Sequence, residues 1–261
     1  SVIVKFIMTR HRGKFNINNP EPYELSRSRI ENFIKCPACF FMQQVEGIEF
    51  PSMPGFNINE ATDILLKKDF DYYREKKKTH PFLENHGFSH LIPFQHKHFE
   101  LWTQSMHFGA ENRMHYDHLE SNIRVGGGLD DVWLNTKTSK IHIVDYKSTS
   151  QKKNNGPINL NDKWKEAYKR QMDLYVWVMK RKGFNVDAIG FFLYCDGNRF
   201  TDQSFLNNKN AMMEFKITLI EYKTNLSWIE VTLNNIHSCL RLDKRPKHSE
   251  NCEYGIFINQ I

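Results

Sequence analysis

No stretch of the 261 residues approaches the roughly 20 consecutive apolar residues that a membrane-spanning helix needs. The opening "SVIVKFIM" is too short to hold the charged and apolar parts of a signal peptide, and it carries no initiator methionine. Two readings of that start remain, a fragment or a chain beginning at Met8. No internal repeat recurs, which sets aside solenoid arrays. No G-x-x-x-x-G-K-[ST] loop occurs, so ATP-driven work would have to come from another chain. Cysteine is scarce and odd in number (Cys36, Cys39, Cys195, Cys239, Cys252), which argues against a complete disulfide framework and for a reducing, cytoplasmic setting. Neither charge sign dominates: the net charge of +6 is mildly basic and compatible with a polyanionic partner without identifying one. A hydrophobic share of 40% and a charged share of 25% are those of a packed globular chain.

The pattern along the chain predicts helix, three strands, helix, strand, with helical additions at both ends. Residues 1–25 read as a flexible segment and 26–261 as one domain, with its core at about 57–222 and a C-terminal helix and tail at 224–261. A short helix starts near Ser26 or Ser28, and "PSMPGF" reads as a linker. From Asn57 to about Lys78 the spacing of Ile58, Ala61, Leu65 and Phe70 predicts a long amphipathic helix with a solvated C-terminal end. His80 to Phe99 reads as an irregular loop, followed by a helix near "HFELWTQSMHF". Strands follow at "RMHYDHLESN", "RVGGGLDDVWLN" and "KIHIVDYKST", then a helix over "KWKEAYKRQMDLYVWVMKRKG" ended by Gly183. Further strands are expected at "AIGFFLYC" and "EFKITLIEY", and a last helix from Ser227 to Leu242. Consecutive antiparallel strands point to an α+β fold with a mixed sheet.

Chemistry gathers at "GGGLDDVWLNTKTSKIHIVDYKST". Alternation puts Asp145 and Lys147 on one face of a strand and Tyr146 on the other. If the preceding strand folds back at "NTKTSK", Asp130 lies close to Asp145. Two carboxylates at that range repel and raise each other's pKa unless a cation intervenes. Lys147 can neutralise one; a hard divalent ion held by both, with the Tyr146 carbonyl as a further ligand, can satisfy both. Tyr168, Gln171 and Tyr175 share one helix face and read either as a buried stripe or as a surface for a nucleic-acid backbone or base.

Together, "GGLDDVW", "IHIVDYKSTS" and "YKRQMDLYVW" resemble the RecB-like branch of the PD-(D/E)XK nuclease superfamily. That pattern runs G-x-x-D, then a strand ending in D/E-x-K, then a helix carrying Q-x-x-x-Y. The resemblance implies a restriction-endonuclease-like core and a Mg²⁺- or Mn²⁺-dependent nuclease. Asp130, selected over Asp131, and Asp145 would be ligands with the Tyr146 carbonyl. Lys147 would be catalytic, and Gln171, Tyr175 and Tyr168 would hold the strand. "SRSRIENFIKCPACFF" is similar to the entry segment of RecB-like and CRISPR-associated relatives. "GFNINEATDILLKKDFDYYREKKKTHP" is similar to bacterial and phage proteins of the superfamily.

The sequence departs from the family in two places. Where many relatives carry a metal-binding histidine on the first core helix, this chain has Asp63, which reads as a hard-oxygen ligand or as an exposed helix residue. Glu120 is a weaker candidate for the same role. Relatives hold an iron–sulfur cluster through cysteines near the N-terminal "CP" and in a C-terminal C-x-x-C. Here Cys36, Cys39 and Cys252 are present and Gly255 stands at the last position. His248 could complete a Cys₃His zinc site, Cys239 could supply a fourth thiolate, or the cysteines are simply reduced and buried. His96 and His98 suggest a metal only weakly and read as loop residues.

The expectation is therefore a deoxyribonuclease, exonuclease-like, acting in DNA repair, recombination or defence and associated with the nucleoid. Its expected partners are DNA and a helicase or other repair protein. Basic segments at Lys163–Arg170 and Lys180–Lys182 would steer the polyanion. The alternatives are a catalytically silent nucleic-acid-binding module and a structural subunit of a larger assembly.

Overall fold

The computed structural model describes residues 14–48, 50 and 55–258. Most of the expected flexible segment, part of the "PSMPGF" linker and the last three residues lie outside them. In chain order the elements are β1 (Tyr23–Ser26), α1 (Arg27–Lys35), α2 (Pro37–Phe41), α3 (Asn57–Lys76), α4 (Pro81–Asn85), β2 (Leu91–Pro93) and α5 (Phe99–Trp102). Then follow β3 (His115–His118), β4 (Ile123–Gly126), β5 (Asp131–Asn135), β6 (Ile141–Thr149), α6 (Glu166–Arg181), β7 (Ile189–Gly197), β8 (Phe215–Lys223), α7 (Ile229–Leu240) and α8 (Glu253–Ile258). A π-helical turn, Met42–Glu46, extends α2, and a 3₁₀ turn, Lys163–Lys165, leads into α6. The fold is α+β with mixed sheets, as the pattern predicts.

Five strands in the order β2-β5-β6-β7-β8 make the main sheet, with β6 and β7 parallel and the other pairs antiparallel. A second sheet runs β1-β4-β3. The expected single strand "RVGGGLDDVWLN" is thus two strands in two sheets. The glycine triplet is the reason. A Cβ on Gly126 would lie 2.4 Å from the Met114 carbonyl and one on Gly128 2.8 Å from the Ser105 nitrogen, so the chain turns where only glycine tolerates such close backbone. The boundary expected at residue 25 also moves: Tyr23–Ser26 pairs in parallel with Ile123–Gly126, and Leu25 is buried.

Of the stripe that the spacing predicts in α3, only Phe70 is buried. Ile58 and Leu65 are 65% and 63% exposed, while Leu66, Phe70 and Arg74 face the sheet. Near its C-terminal end Arg74 is anchored, donating to Asp131 and to the Phe94 carbonyl, while Glu75 to Lys78 beyond it are exposed, as the charged end predicts. The expected loop at 80–99 contains α4 and the edge strand β2. Pro81 starts α4 with its fixed φ, and His80 Nδ1 caps it by accepting from the Phe82 N–H at 2.9 Å. The helix expected after it shrinks to the four residues of α5.

The sheet is covered on both sides. Ile141 and Ile143 of β6 pack with Met172, Leu174 and Val176 of α6, together with α7. Val144 and Tyr146 point the other way, toward Phe70 of α3 and Trp133. The Asp145–Lys147 half of β6 therefore emerges between α3 and α6.

Candidate active site and metal centres

The register carries the site. Asp131 pairs with Val144 across β5 and β6, and one further step places Asp130 opposite Asp145. Asp130 ends the ladder with its side chain: Oδ2 accepts from the Tyr146 N–H at 2.8 Å. Asp145 is 2% exposed, and its Oδ2 lies 2.5 Å from Lys147 Nζ. Gln171 of α6 donates from Nε2 to Asp145 Oδ1 at 2.9 Å. Lys147 Nζ also sits 4.6 Å from the Tyr168 ring centroid.

Asp131 is occupied elsewhere. It is fully buried and accepts from Arg74, from Trp133 Nε1 at 3.0 Å, from Tyr146 Oη at 2.6 Å and from the Val132 N–H at 2.7 Å. Such a carboxylate has no lone pair left for an ion, so of the two adjacent aspartates Asp130 is the one free to act.

Electrostatics bind these groups into one unit. Burial pushes the Asp130 carboxyl well above its ordinary value, and the Asp145 charge adds to that against the pull of Lys147. Burial likewise pushes Asp63 up to about 6, offset by Lys147 and increased by Asp145. Asp63 is therefore beside this cluster and not merely on the exposed face of α3. Burial opposes the charge on Lys147, but Asp145 and Asp130 outweigh it and hold the ammonium above its usual range. Three carboxylates face one buried ammonium.

Two buried oxygens at this point, Asp63 Oδ1 and Gln171 Oε1, have no hydrogen-bond partner among the described residues, and Asp145 Oδ2 faces the Lys147 ammonium. Unsatisfied buried oxygens are costly. All three are hard donors of the kind Mg²⁺ and Mn²⁺ take, so the residues fit such an ion. The acidic trio is nevertheless looser than a closed metal cage. Among the described residues, the one group of three or more His, Cys, Asp or Glu with all donor atoms within 4.8 Å lies elsewhere.

Gln171 and Tyr175 are 8% and 5% exposed, and that corrects their expected contact with a nucleic-acid strand. Gln171 orients Asp145 instead. Tyr175 packs against Gly127, where a Cβ would meet its Oη at 2.7 Å, which gives that glycine its physical reason. Tyr168, half-buried, keeps part of its ring accessible. Arg27, at the start of α1, is the residue the sequence reading passed over. Its charge bears on both Tyr175 and Lys147. As the first helical residue after a serine it looks like ordinary capping chemistry, and only the fold brings it here. Glu120 is not at the site: it is exposed and accepts from Asn234 of α7 at 2.8 Å. His96 stacks on Trp102 with ring centroids 4.5 Å apart, and its Nδ1 accepts from the His98 N–H, so this pair is packing.

The second cluster is Cys36, Cys39, Cys252 and His248. A residue before proline is pushed out of helical conformation, and Cys36, extended ahead of Pro37, makes an elbow between α1 and α2. That elbow turns Cys36 and Cys39 toward the C-terminal tail. His248 Nδ1 lies 3.4, 3.6 and 3.5 Å from the sulfurs of Cys36, Cys39 and Cys252, and the last two sulfurs are 3.3 Å apart. Gly255 gives His248 its room, since a Cβ there would sit 2.6 Å from His248 Cβ. Burial raises the Cys36 thiol, but N–H groups of Ser249 and Cys39 with His248 outweigh it and bring it down to about 6. Cys239 stays outside this set, its sulfur 4.0 Å from the Pro37 carbonyl.

No curated protein matches the chain. The crystal structure of SSO0001 is similar over 94% of this chain and 88% of its own, at 11% identity and a TM-score of 0.36, a likeness too weak to carry an argument. A family model described as the PD-(D/E)XK nuclease superfamily matches residues 58–255, most of the chain and all of the acidic site, and the protein belongs to that superfamily.

Proposed function

We propose that this protein is a RecB-like, divalent-metal-dependent deoxyribonuclease, with one nuclease domain that takes in β1 from Tyr23 onward. The observation that carries it is the meeting of Asp130, Asp145 and Lys147 beside buried oxygens without partners. Asp130, Asp145, the Tyr146 carbonyl and Asp63 would hold Mg²⁺ or Mn²⁺. When bound, the ion supplies a Lewis acid at a phosphoryl oxygen and acidifies water. Lys147 places an ammonium where negative charge gathers during phosphodiester hydrolysis, and Arg27 adds a second cation within reach of the same charge. Gln171 fixes the Asp145 carboxylate, and Tyr175 fixes the glycine turn that delivers Asp130. Exonucleolytic action, a place in repair, recombination or defence at the nucleoid, and a helicase partner belong to the same reading and rest on the family resemblance. Among the described residues, no helix is long and apolar enough to cross a membrane.

The Cys₃His cluster fits one structural zinc. A tetrahedral ion with Zn–S bonds near 2.3 Å spaces its donors by about 3.8 Å. The donor contacts here, 3.3 to 3.6 Å, leave room for a single ion and not for a multi-iron cluster.

The test is end-labelled single- and double-stranded DNA with Mn²⁺. The wild type should cut, while Asp145→Asn and Lys147→Ala should not, with DNA binding retained in Lys147→Ala. Cutting by all three, or by none, removes the proposal.

A further inference from the structure

Of the five tryptophans, Trp102, Trp133 and Trp177 are buried and Trp228 is half-buried, but Trp164 is 59% exposed. Exposing an indole costs hydrophobic free energy, so its position calls for a reason. Trp164 lies in the 3₁₀ turn before α6, one turn ahead of Tyr168. Its ring meets Tyr168 edge-to-face at 5.5 Å, and Tyr168 in turn carries the Lys147 ammonium over its own ring. An aromatic path thus runs from the catalytic amine to the surface in two ring contacts.

At the outer end is a cleft of about 500 Å³. Thr149 and Ser150, which continue β6 beyond Lys147, form its near wall. Lys152 and Lys153 form the far wall, both exposed and without an ion-pair partner among the described residues. Lys165 is different: it is tied to Asp162 and to the Asn159 carbonyl, and so braces Trp164 from below. The cleft therefore joins a flat aromatic face to free positive charge, two ring contacts away from Lys147.

We propose that Trp164 is a base-stacking platform for an unpaired nucleotide next to the scissile phosphate, which makes single-stranded nucleic acid the substrate class. The inference rests on the nuclease reading above and specifies its substrate. Inside a duplex both faces of a base are covered by its stacked neighbours, so an indole face can stack only on an unpaired or terminal base. Stacking on an aromatic ring tolerates any base, so the site sets strandedness and not sequence. Lys152 and Lys153 would hold the flanking phosphates.

The experiment uses the full chain without added divalent ion, so that binding is read without cleavage. The probes are a fluorescein-labelled oligothymidylate of about twelve nucleotides and a blunt duplex of the same length. Trp164→Ala should weaken single-strand binding about 5- to 150-fold, the range of one base stack. Trp164→Phe should retain most of the affinity, and the duplex affinity should not change. Replacing Lys152 and Lys153 with alanine should lower the slope of log affinity against log salt by about 1.4, two contacts on a single strand. Equal single-strand affinity for wild type and Trp164→Ala overturns the proposal, as does equal weakening on both probes. The nuclease reading fails by a different readout, absence of Mn²⁺-dependent cutting by the wild type whatever its binding.

Discussion

Replacing Asp63 with asparagine should stabilise the protein in the absence of added divalent ion and weaken its response to that ion. The folded chain holds the Asp63 carboxyl at about 6 against 3.8 in the ordinary state, chiefly through burial. At 1.36 kcal/mol per tenfold change in proton affinity, that is at most about 3 kcal/mol. The side chain is only partly buried, and solvent screening reduces the figure to about 1 kcal/mol. The sign follows from proton binding. A carboxyl raised on folding favours the folded state below its unfolded value, and that advantage is lost as pH rises through about 6. Ionised Asp63 therefore costs stability at pH 7.5, and Asp63→Asn removes the cost. For a chain of this size about 1 kcal/mol is a rise in Tm of roughly 2–4 °C. Near pH 4.5 the gain should be smaller. Thermal melts at the two pH values, with and without Mg²⁺, read it directly: the variant should melt higher in the metal-free buffer and gain less from Mg²⁺. A variant that melts lower than wild type at pH 7.5 without Mg²⁺, or that gains as much from Mg²⁺, would refute the placement of Asp63.

Asp131→Ala should cost about 3–5 kcal/mol in chemical denaturation, because it strands the buried Arg74 guanidinium. A loss below 1 kcal/mol would mean that Asp131 is not the structural member of the pair. Arg27→Gln should lower single-turnover cleavage about 100-fold, as for removal of one transition-state donor, while leaving the melting temperature near wild type. An unchanged rate would exclude Arg27 from the chemistry. Cys252→Ser should reduce elemental zinc from one per chain and lower Tm, since metal affinity here is folding free energy. Wild-type protein free of zinc, melting as the variant does, would contradict the Cys₃His site.

The D-x-K strand was the most legible part of the sequence because β6 obeys a two-residue alternation and its family motif coincides with it. Its face assignment follows from that alternation alone: Asp145 and Lys147 lie with Ile143, and Tyr146 with Val144. The break between β4 and β5 was not legible, since a glycine triplet inside an apolar run looks the same whether the chain bulges or changes sheet. What decides it is backbone from Met114 and Ser105, far away in sequence. Helix α3 misled for a related reason. Its apolar residues occur on more than one face, and the face that packs carries Arg74 reaching Asp131 beside Leu66 and Phe70, a polar contact that hydrophobic spacing ignores. Strands β1 and β2 are three or four residues long and carry too little pattern to register. The fourth member of the cysteine cluster stayed open between His248 and Cys239, because ligand spacing across 200 residues is a property of the fold.

The central claim is that Asp130 and Asp145 share one hard cation. Titrating Mn²⁺ into the protein while following the free-ion signal by electron paramagnetic resonance tests it most directly. The account predicts one site in the wild type, weakened at least about 10-fold by Asp130→Asn and by Asp145→Asn. Wild-type protein that takes up no Mn²⁺, or variants that take it up equally well, would contradict it.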